Sequence, residues 1–252
     1  MTEEKLPADV LLGKQLFYDA LDRRLTMASY MSCASCHDEG GQDGRVWDLT
    51  GSGEGLRNTL NLRGRGGLQR LLHWSGNFDE VQDFESQIRS LAGGMGLLDN
   101  ALYYAGDRRA PLGAKKAGLS KELDALAAYL RSLDRIDESP LATVEDAQAV
   151  AFGRAEYGRL GCGTCHGSAP NGVDAAAEPK DVGTLSGRSG RRNGGALSGL
   201  MSPPLGDAWA TPPYLHDGSA MTIEAAIERH RGVPIANIAA LAAYLRAGMP
   251  VP

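Results

Sequence analysis

Every cysteine in this chain belongs to one of two copies of the pattern C-x-x-C-H: Cys33, Cys36 and His37 in "CASCH", and Cys162, Cys165 and His166 in "CGTCH". That pattern is the attachment signature of haem c. Two thiols separated by two residues can each add across one vinyl group along a single porphyrin edge. The adjacent histidine then comes under the iron as its proximal ligand. A disulfide scaffold would have no reason to place a histidine after each pair. Structural zinc ribbons keep their cysteine pairs about 15–20 residues apart, whereas these pairs stand at 33/36 and 162/165. The motifs therefore predict two covalently attached haems, each an apolar disc that the chain must wrap.

The surrounding sequence repeats as the motif does. "VLLGKQLFYDALDRR" precedes the first copy and "AVAFGRAEYGRLG" the second. Both read as helices with one apolar side, made of Leu12, Leu16 and Phe17 in the first and Val150, Phe152 and Tyr157 in the second. Each half closes on nearly the same segment, "LDALAAYLRSL" (Leu123 to Leu133) and "IAALAAYLRAG" (Ile238 to Gly248). The expected fold is mostly α, two tandem cytochrome c-like haem domains with long loops and little strand. The first would span 1–140 and the second 141–252. Pro140 interrupts any helix at that boundary, and a start signal follows at Thr143 with Asp146 three residues on. The glycine-rich stretches "GGQDGRVWDLTGSGEGLRN" and "GSAPNGVDAAAEPKDVGTLSGRSGRRNGG" read as loops supported by a cofactor.

With 252 residues and a net charge of −5, the chain can bury a core without disulfides and has no concentrated basic face for nucleic acid. Its densest basic run, Gly187 to Arg192, reads as a flexible, solvated loop. No apolar run reaches membrane-spanning length. The opening "MTEEKLPADV" lacks the basic and apolar segments of a signal peptide. Covalent haem attachment normally takes place outside the cytoplasm, so the expectation is a periplasmic or otherwise exported protein whose signal has been removed.

Three stretches in order resemble the bacterial di-haem cytochrome c peroxidases and their MauG-like relatives: "LGKQLFYDALDRRLTMASYMSCASCH", "GLRNTLNLRGRGGLQRLLHWSGNFDEVQDFESQI" and "TPPYLHDGSAMTIEAAIERH". The last is similar to that family's signature ending in phenylalanine, histidine, aspartate and glycine. In the family, the fourteenth residue after the signature histidine is the second axial ligand of the C-terminal haem. It is methionine in peroxidases and tyrosine in MauG. Here the signature histidine is His216 and the matching position is His230, which implies a low-spin second haem held by His166 and His230. The helix "TIEAAIERHRG", capped by Thr222 and stopped by Gly232, puts His230 on one face with Ile223, Ala226 and Ile227. The resemblance further implies a calcium ion between the domains, held by oxygens of Asn58, Thr211 and Pro213. A plain structural turn is the competing reading. Trp74 matches the tryptophan between the haems, a conduit for electrons or simply an aromatic of the core.

On the substrate side of the first haem the resemblance fails at a telling place. Gln87 matches a family glutamine, and the peroxidase glutamate ten residues on falls at Leu97. Glu85 lies on the same helix but two residues away from Gln87, on another face. The loop after His37 offers no iron ligand, which disfavours the ligand-release switch of many family members. The iron is then either open, in an apolar pocket around Leu91, Met95 and Leu97, or closed by His73 or Met95. Two functions follow. One is an oxidoreductase in which haem 1 reacts with a small oxidant, peroxide or dioxygen, and haem 2 relays electrons from a small redox protein. The other is a non-catalytic electron-transfer module that passes electrons between such proteins.

Overall fold

A computed structural model describes residues 4–66, 71–172 and 174–250. Part of the second stretch of resemblance, residues 67–70, lies outside them. Helices dominate: α1 (Ala8–Tyr18), α2 (Phe84–Ser90), α3 (Asn100–Tyr103), α4 (Lys121–Ser132), α5 (Ala147–Arg159), α6 (Gly163–His166), α7 (Ile223–Glu228) and α8 (Ile238–Arg246). Among the described residues the only sheet is a hairpin of β1 (Val46–Leu49) and β2 (Gly55–Asn58), paired from Val46↔Asn58 to Leu49↔Gly55. The hairpin emerges from a stretch that reads as loop, because glycines at 53 and 55 with φ of +83° and +72° make its turn. None of the described helices is long and apolar enough to cross a membrane.

The repeat is carried by one helix crossing used twice. α1 packs on α4, and α5 packs on α8. A Cβ on Gly13 would stand 1.9 Å from Ala125 O and 2.8 Å from Tyr129 Cβ. One on Gly153 would stand 2.0 Å from Ala240 O and 2.7 Å from Tyr244 Cβ. Both crossings are thus backbone against backbone, and each places a tyrosine of the second helix beside the glycine. Phe17 stacks edge-on against Tyr129 at 5.1 Å, and Tyr157 against Tyr244 at 5.7 Å. Around these pairs lie two apolar clusters. One contains Leu16, Phe17, Leu123, Leu126 and Tyr129, the other Val150, Tyr157, Leu241, Tyr244 and Leu245.

Three expectations change. Phe152 is not part of the apolar side of α5; it is 59% exposed, since the face that meets α8 runs through Val150, Gly153 and Tyr157. The cap of α5 is Asp146, whose carboxylate accepts from Ala149 N at 2.7 Å, and not Thr143. The basic run Gly187 to Arg192 is a docked segment. Leu56 N donates to Arg188 O (3.1 Å), Arg191 N to Gly53 O (2.7 Å) and Arg192 Nη2 to Gly76 O (2.8 Å). Gly55 and Gly190 allow this approach. A Cβ on Gly55 would meet Arg188 O at 2.4 Å, and one on Gly190 would meet Glu54 C at 2.4 Å.

Two substitutions on α5 should move stability in opposite directions. Gly153→Val overpacks the crossing and should destabilise by about 1–3 kcal/mol. Gly158→Ala has no heavy atom within 4 Å and should stabilise by roughly 0.5–1 kcal/mol through helix propensity. Guanidinium titrations of the intact protein check both signs.

Candidate haem sites

The second motif opens onto a cavity that the chain's own features match to a haem. Its walls carry Cys162, Cys165 and His166 on one side and Ile223, Ala226, Ile227 and His230 on another, with Leu241 and Leu245 behind. The His166 and His230 rings face each other with centroids 6.2 Å apart. A metal–nitrogen bond of about 2 Å on each side, plus the distance from each nitrogen to its ring centre, spans that gap. His166 Nδ1 lies 2.7 Å from Pro203 O, and His230 Nδ1 lies 2.9 Å from Ala226 O. A carbonyl only accepts, so Nδ1 carries the proton in each ring and Nε2 keeps the lone pair a metal needs. The residues present fit a haem iron with two imidazoles.

His230 reaches this position differently from the sequence expectation. The helix is capped by Thr222, whose Oγ1 accepts from Ala225 N at 3.1 Å, but α7 ends at Glu228. His230 N turns to Ile227 O (3.0 Å), and the ring Nδ1 takes the Ala226 carbonyl that this amide would bond in a continuing helix. The side chain ends the helix and orients itself with the same bond.

The first motif lies on a 3-10 turn, Cys33–Ser35, whose start is closed by Ser32 and Ser35 bonding each other's backbone N–H. His37 Nδ1 stands 3.3 Å from Gly41 O. Burial lowers the His37 pKa to about 4, so the ring is neutral near pH 7, as a ligand must be. His73 is the other histidine of the first half. Its ring packs against Phe78 and Phe84 with centroids at 4.7 and 4.9 Å. Nδ1 lies 2.7 Å from Asn77 Oδ1, Asn77 Nδ2 donates to Glu54 Oε1 (2.9 Å), and Glu54 Oε2 pairs with Arg57 (3.1 Å). The amide oxygen accepts the Nδ1 proton, leaving Nε2 as the basic nitrogen. Desolvation depresses the pKa of His73, so it too is neutral.

Of the other residues singled out, Gln87 is half-buried on α2. Leu97 is buried in the apolar cluster of the first half, while Met95 is 64% exposed. Glu85, fully buried, accepts from Leu97 N (2.8 Å), Leu98 N (3.2 Å) and Arg89 Nε (2.7 Å). Its carboxylate thus ties the 96–98 loop to Arg89 on α2. Gly96 makes this closeness feasible, since a Cβ there would fall 2.2 Å from Glu85 Oε1.

A junction between the 213–216 segment and the first half is built on β2. Asn58 N donates to His216 O (2.6 Å), its Nδ2 donates to Pro213 O and to Leu215 O (3.3 Å), and Trp74 Nε1 donates to Asn58 O (2.8 Å). Trp74 is buried against His216 at 6.5 Å, and His216 Nε2 lies 2.8 Å from Ser189 Oγ. Asn58, Trp74, Thr211 and Pro213 all line the same cavity as His166 and His230. Sequence reasoning missed Asn61, Arg65 and Asp207, which stand on this wall as well. Nothing in the spacing of "NLRGRGG" distinguishes Arg65 from its neighbours.

The chain matches the family model described as "Di-haem cytochrome c peroxidase" over residues 7–141. It is 27% identical to the hydrazine synthase subunit gamma of Kuenenia stuttgartiensis over 244 residues, covering 80% of this chain and 65% of that protein. The chain therefore spans slightly less than two thirds of that relative's length. Its fold is similar to a structure of Kuenenia stuttgartiensis hydrazine synthase, with a TM-score of 0.60, 22% identity and coverage of 98% of this chain and 89% of that one. It is also similar to a MauG-like protein associated with microbial copper homeostasis, with a TM-score of 0.57, 20% identity and coverage of 98% and 95%.

Glu85→Ala should destabilise the protein by about 3–5 kcal/mol, because it strands the Arg89 guanidinium and two loop amides in the interior. Denaturant titration measures this loss. A variant of near wild-type stability would contradict a structural role for the carboxylate.

Proposed function

The chain belongs to the di-haem cytochrome c peroxidase family, and on that premise we propose that it is an exported oxidoreductase with two haems c and an unequal division of labour. The modules are 1–140 and 141–252. Haem 1 is attached at Cys33 and Cys36 and held by His37; haem 2 is attached at Cys162 and Cys165 and held by His166 and His230. The observation that carries this reading is the facing His166–His230 pair at 6.2 Å, which seals the second site to exogenous ligands and suits it to electron relay. The first site is then the reactive one, taking a small oxidant such as peroxide or dioxygen, with electrons supplied by a small redox protein. Trp74, which the first half contributes to the wall of the second cavity, suits a conduit.

A haem at the first site supplies an iron that binds the oxidant and accepts or donates electrons. The chain's part is proton handling. With the peroxidase glutamate position filled by Leu97 and Glu85 engaged structurally, His73, the other histidine of the first half, is the base assigned to this role. Its Nε2 would accept a proton from a bound peroxide and return it to the oxygen that leaves as water. Asn77 fixes the tautomer, and Phe78 and Phe84 keep water away. Gln87 is a second candidate on this side. The same geometry supports a closed haem 1 with His73 as sixth ligand, in which case the chain is an electron carrier. Its relative's name, a subunit, favours that reading as part of an assembly.

The ferric absorption spectrum separates the two. The enzyme reading expects one high-spin and one low-spin haem, with His73→Ala lowering peroxide turnover about 10²–10⁴-fold and leaving the spectrum unchanged. Two low-spin haems in the wild type, one turning high-spin in His73→Ala, would establish the carrier.

We also propose calcium at the junction. Asn58 Oδ1 is buried without a hydrogen-bond partner, while its amide nitrogen crowds Pro213 O. Turning the amide over would set two oxygens toward a shared cation, of the kind calcium takes. Thr211 lines the same wall. Chelation by EGTA should lower the unfolding temperature and added calcium restore it, and Asn58→Ala should abolish that response. An unfolding temperature indifferent to both would remove calcium from the junction.

A further inference from the structure

The wall that the first half presents to the second cavity is polar where the rest is apolar. It carries Asn58, Asn61 and Arg65, and the second half adds Asp207 beside them. Asn61 Nδ2 donates to Asp207 Oδ2 at 2.6 Å, so that oxygen is engaged. Arg65 Nη2 stands 3.6 Å from the same oxygen, beyond hydrogen-bond length. Arg65 Nε is buried with no hydrogen-bond partner at all. A guanidinium offers five N–H donors in a planar fork. Burying one with a donor left empty is costly unless a ligand completes it. The other charged residue on the cavity wall, Lys180, is a cation too. Lys180 is paired with Glu178 at 3.6 Å, so the open donor that asks for an anion is Arg65 Nε.

A haem has two anionic groups, its propionate carboxylates, and a planar carboxylate is the partner that an arginine fork matches best. We propose that Arg65, with Asn61 beside it, binds a propionate of the haem in the second cavity, and that Asp207 opposes it as the local negative charge. The inference rests on the reading that this cavity holds haem 2. It adds that the haem is shared: its thioethers and axial ligands come from the second half, and its propionate partner comes from the first. Arg65 then sets the reduction potential of haem 2, because a cation at the propionate favours the ferrous state and a carboxylate favours the ferric one.

Spectroelectrochemical titration of the low-spin haem in the intact holoprotein tests this, with haem stoichiometry measured on the same samples. Arg65→Gln should shift the reduction equilibrium of haem 2 about tenfold toward the ferric form, ~59 mV downward for a one-electron couple. Asp207→Asn should shift it in the opposite direction, and Arg65→Lys should stay close to wild type. Both Arg65→Gln and Asp207→Asn break the same ion pair, so a merely structural role would lower stability in both and give no opposed potential shifts. If Arg65→Gln does not fold, Asp207→Asn and Arg65→Lys decide. Two haems per chain with potentials unmoved, or moved in the same direction, overturn the inference alone. One haem per chain, or no low-spin centre in the wild type, overturns the reading of the cavity itself.

Discussion

Asn58 is the residue on which the arrangement of the two halves turns. It ends β2, and its N–H, side-chain amide and C=O all bond outward, to His216, to Pro213 and Leu215, and to Trp74. Backbone groups buried at such an interface must find partners or cost stability; here the N–H finds its partner across it and the C=O within its own half, at Trp74. The cavity wall, the buried tryptophan and the 213–216 segment are placed by these bonds. The hairpin matters for this reason: without the β1 pairing, β2 would not be presented as an edge to the second half.

The docked segment 186–192 works from the other side. Its Arg188 carbonyl accepts from Leu56 N and its Arg191 N–H donates to Gly53 O in the turn before, and Gly55 and Gly190 pass so closely that neither tolerates a side chain. The positive φ at each position, +72° and +73°, adds a second reason for glycine. Packing here is therefore main chain on main chain, as it is at the two helix crossings through Gly13 and Gly153. The protein brings its parts together by removing side chains at the points of contact, which leaves the large apolar residues to face the cavities.

Much of this was legible in the letters. The doubled "ALAAYLR" located α4 and α8, the second C-x-x-C-H marked one wall of the cavity, and Thr222 announced the start of α7. The membership that the signature stretches implied is what the family match found. What sequence could not convey was where polar groups find partners. Composition made Gly187 to Arg192 look solvated, because hydrogen bonds made by backbone carbonyls leave no trace in residue type. Glu85 was seen to point away from Gln87, yet its role in clasping the 96–98 loop depends on a bend that Gly96 permits. Phe152 matched an apolar pattern, but the face was decided by the glycine three residues away from Val150. Arg65 gave no signal, since its meaning lies entirely in what stands across the cavity.

The two facing histidines of the second cavity are aimed by the carbonyls of Pro203 and Ala226, not by carboxylates. A main-chain oxygen stays in place whatever side chain its residue carries, so the aim of these rings is insulated from substitution at either position. It also pulls less strongly on the imidazole proton than a carboxylate would. The direction of both rings is thereby written into the path of the backbone. Drift of the surrounding sequence can alter the walls of the pocket while leaving the field at its centre the same.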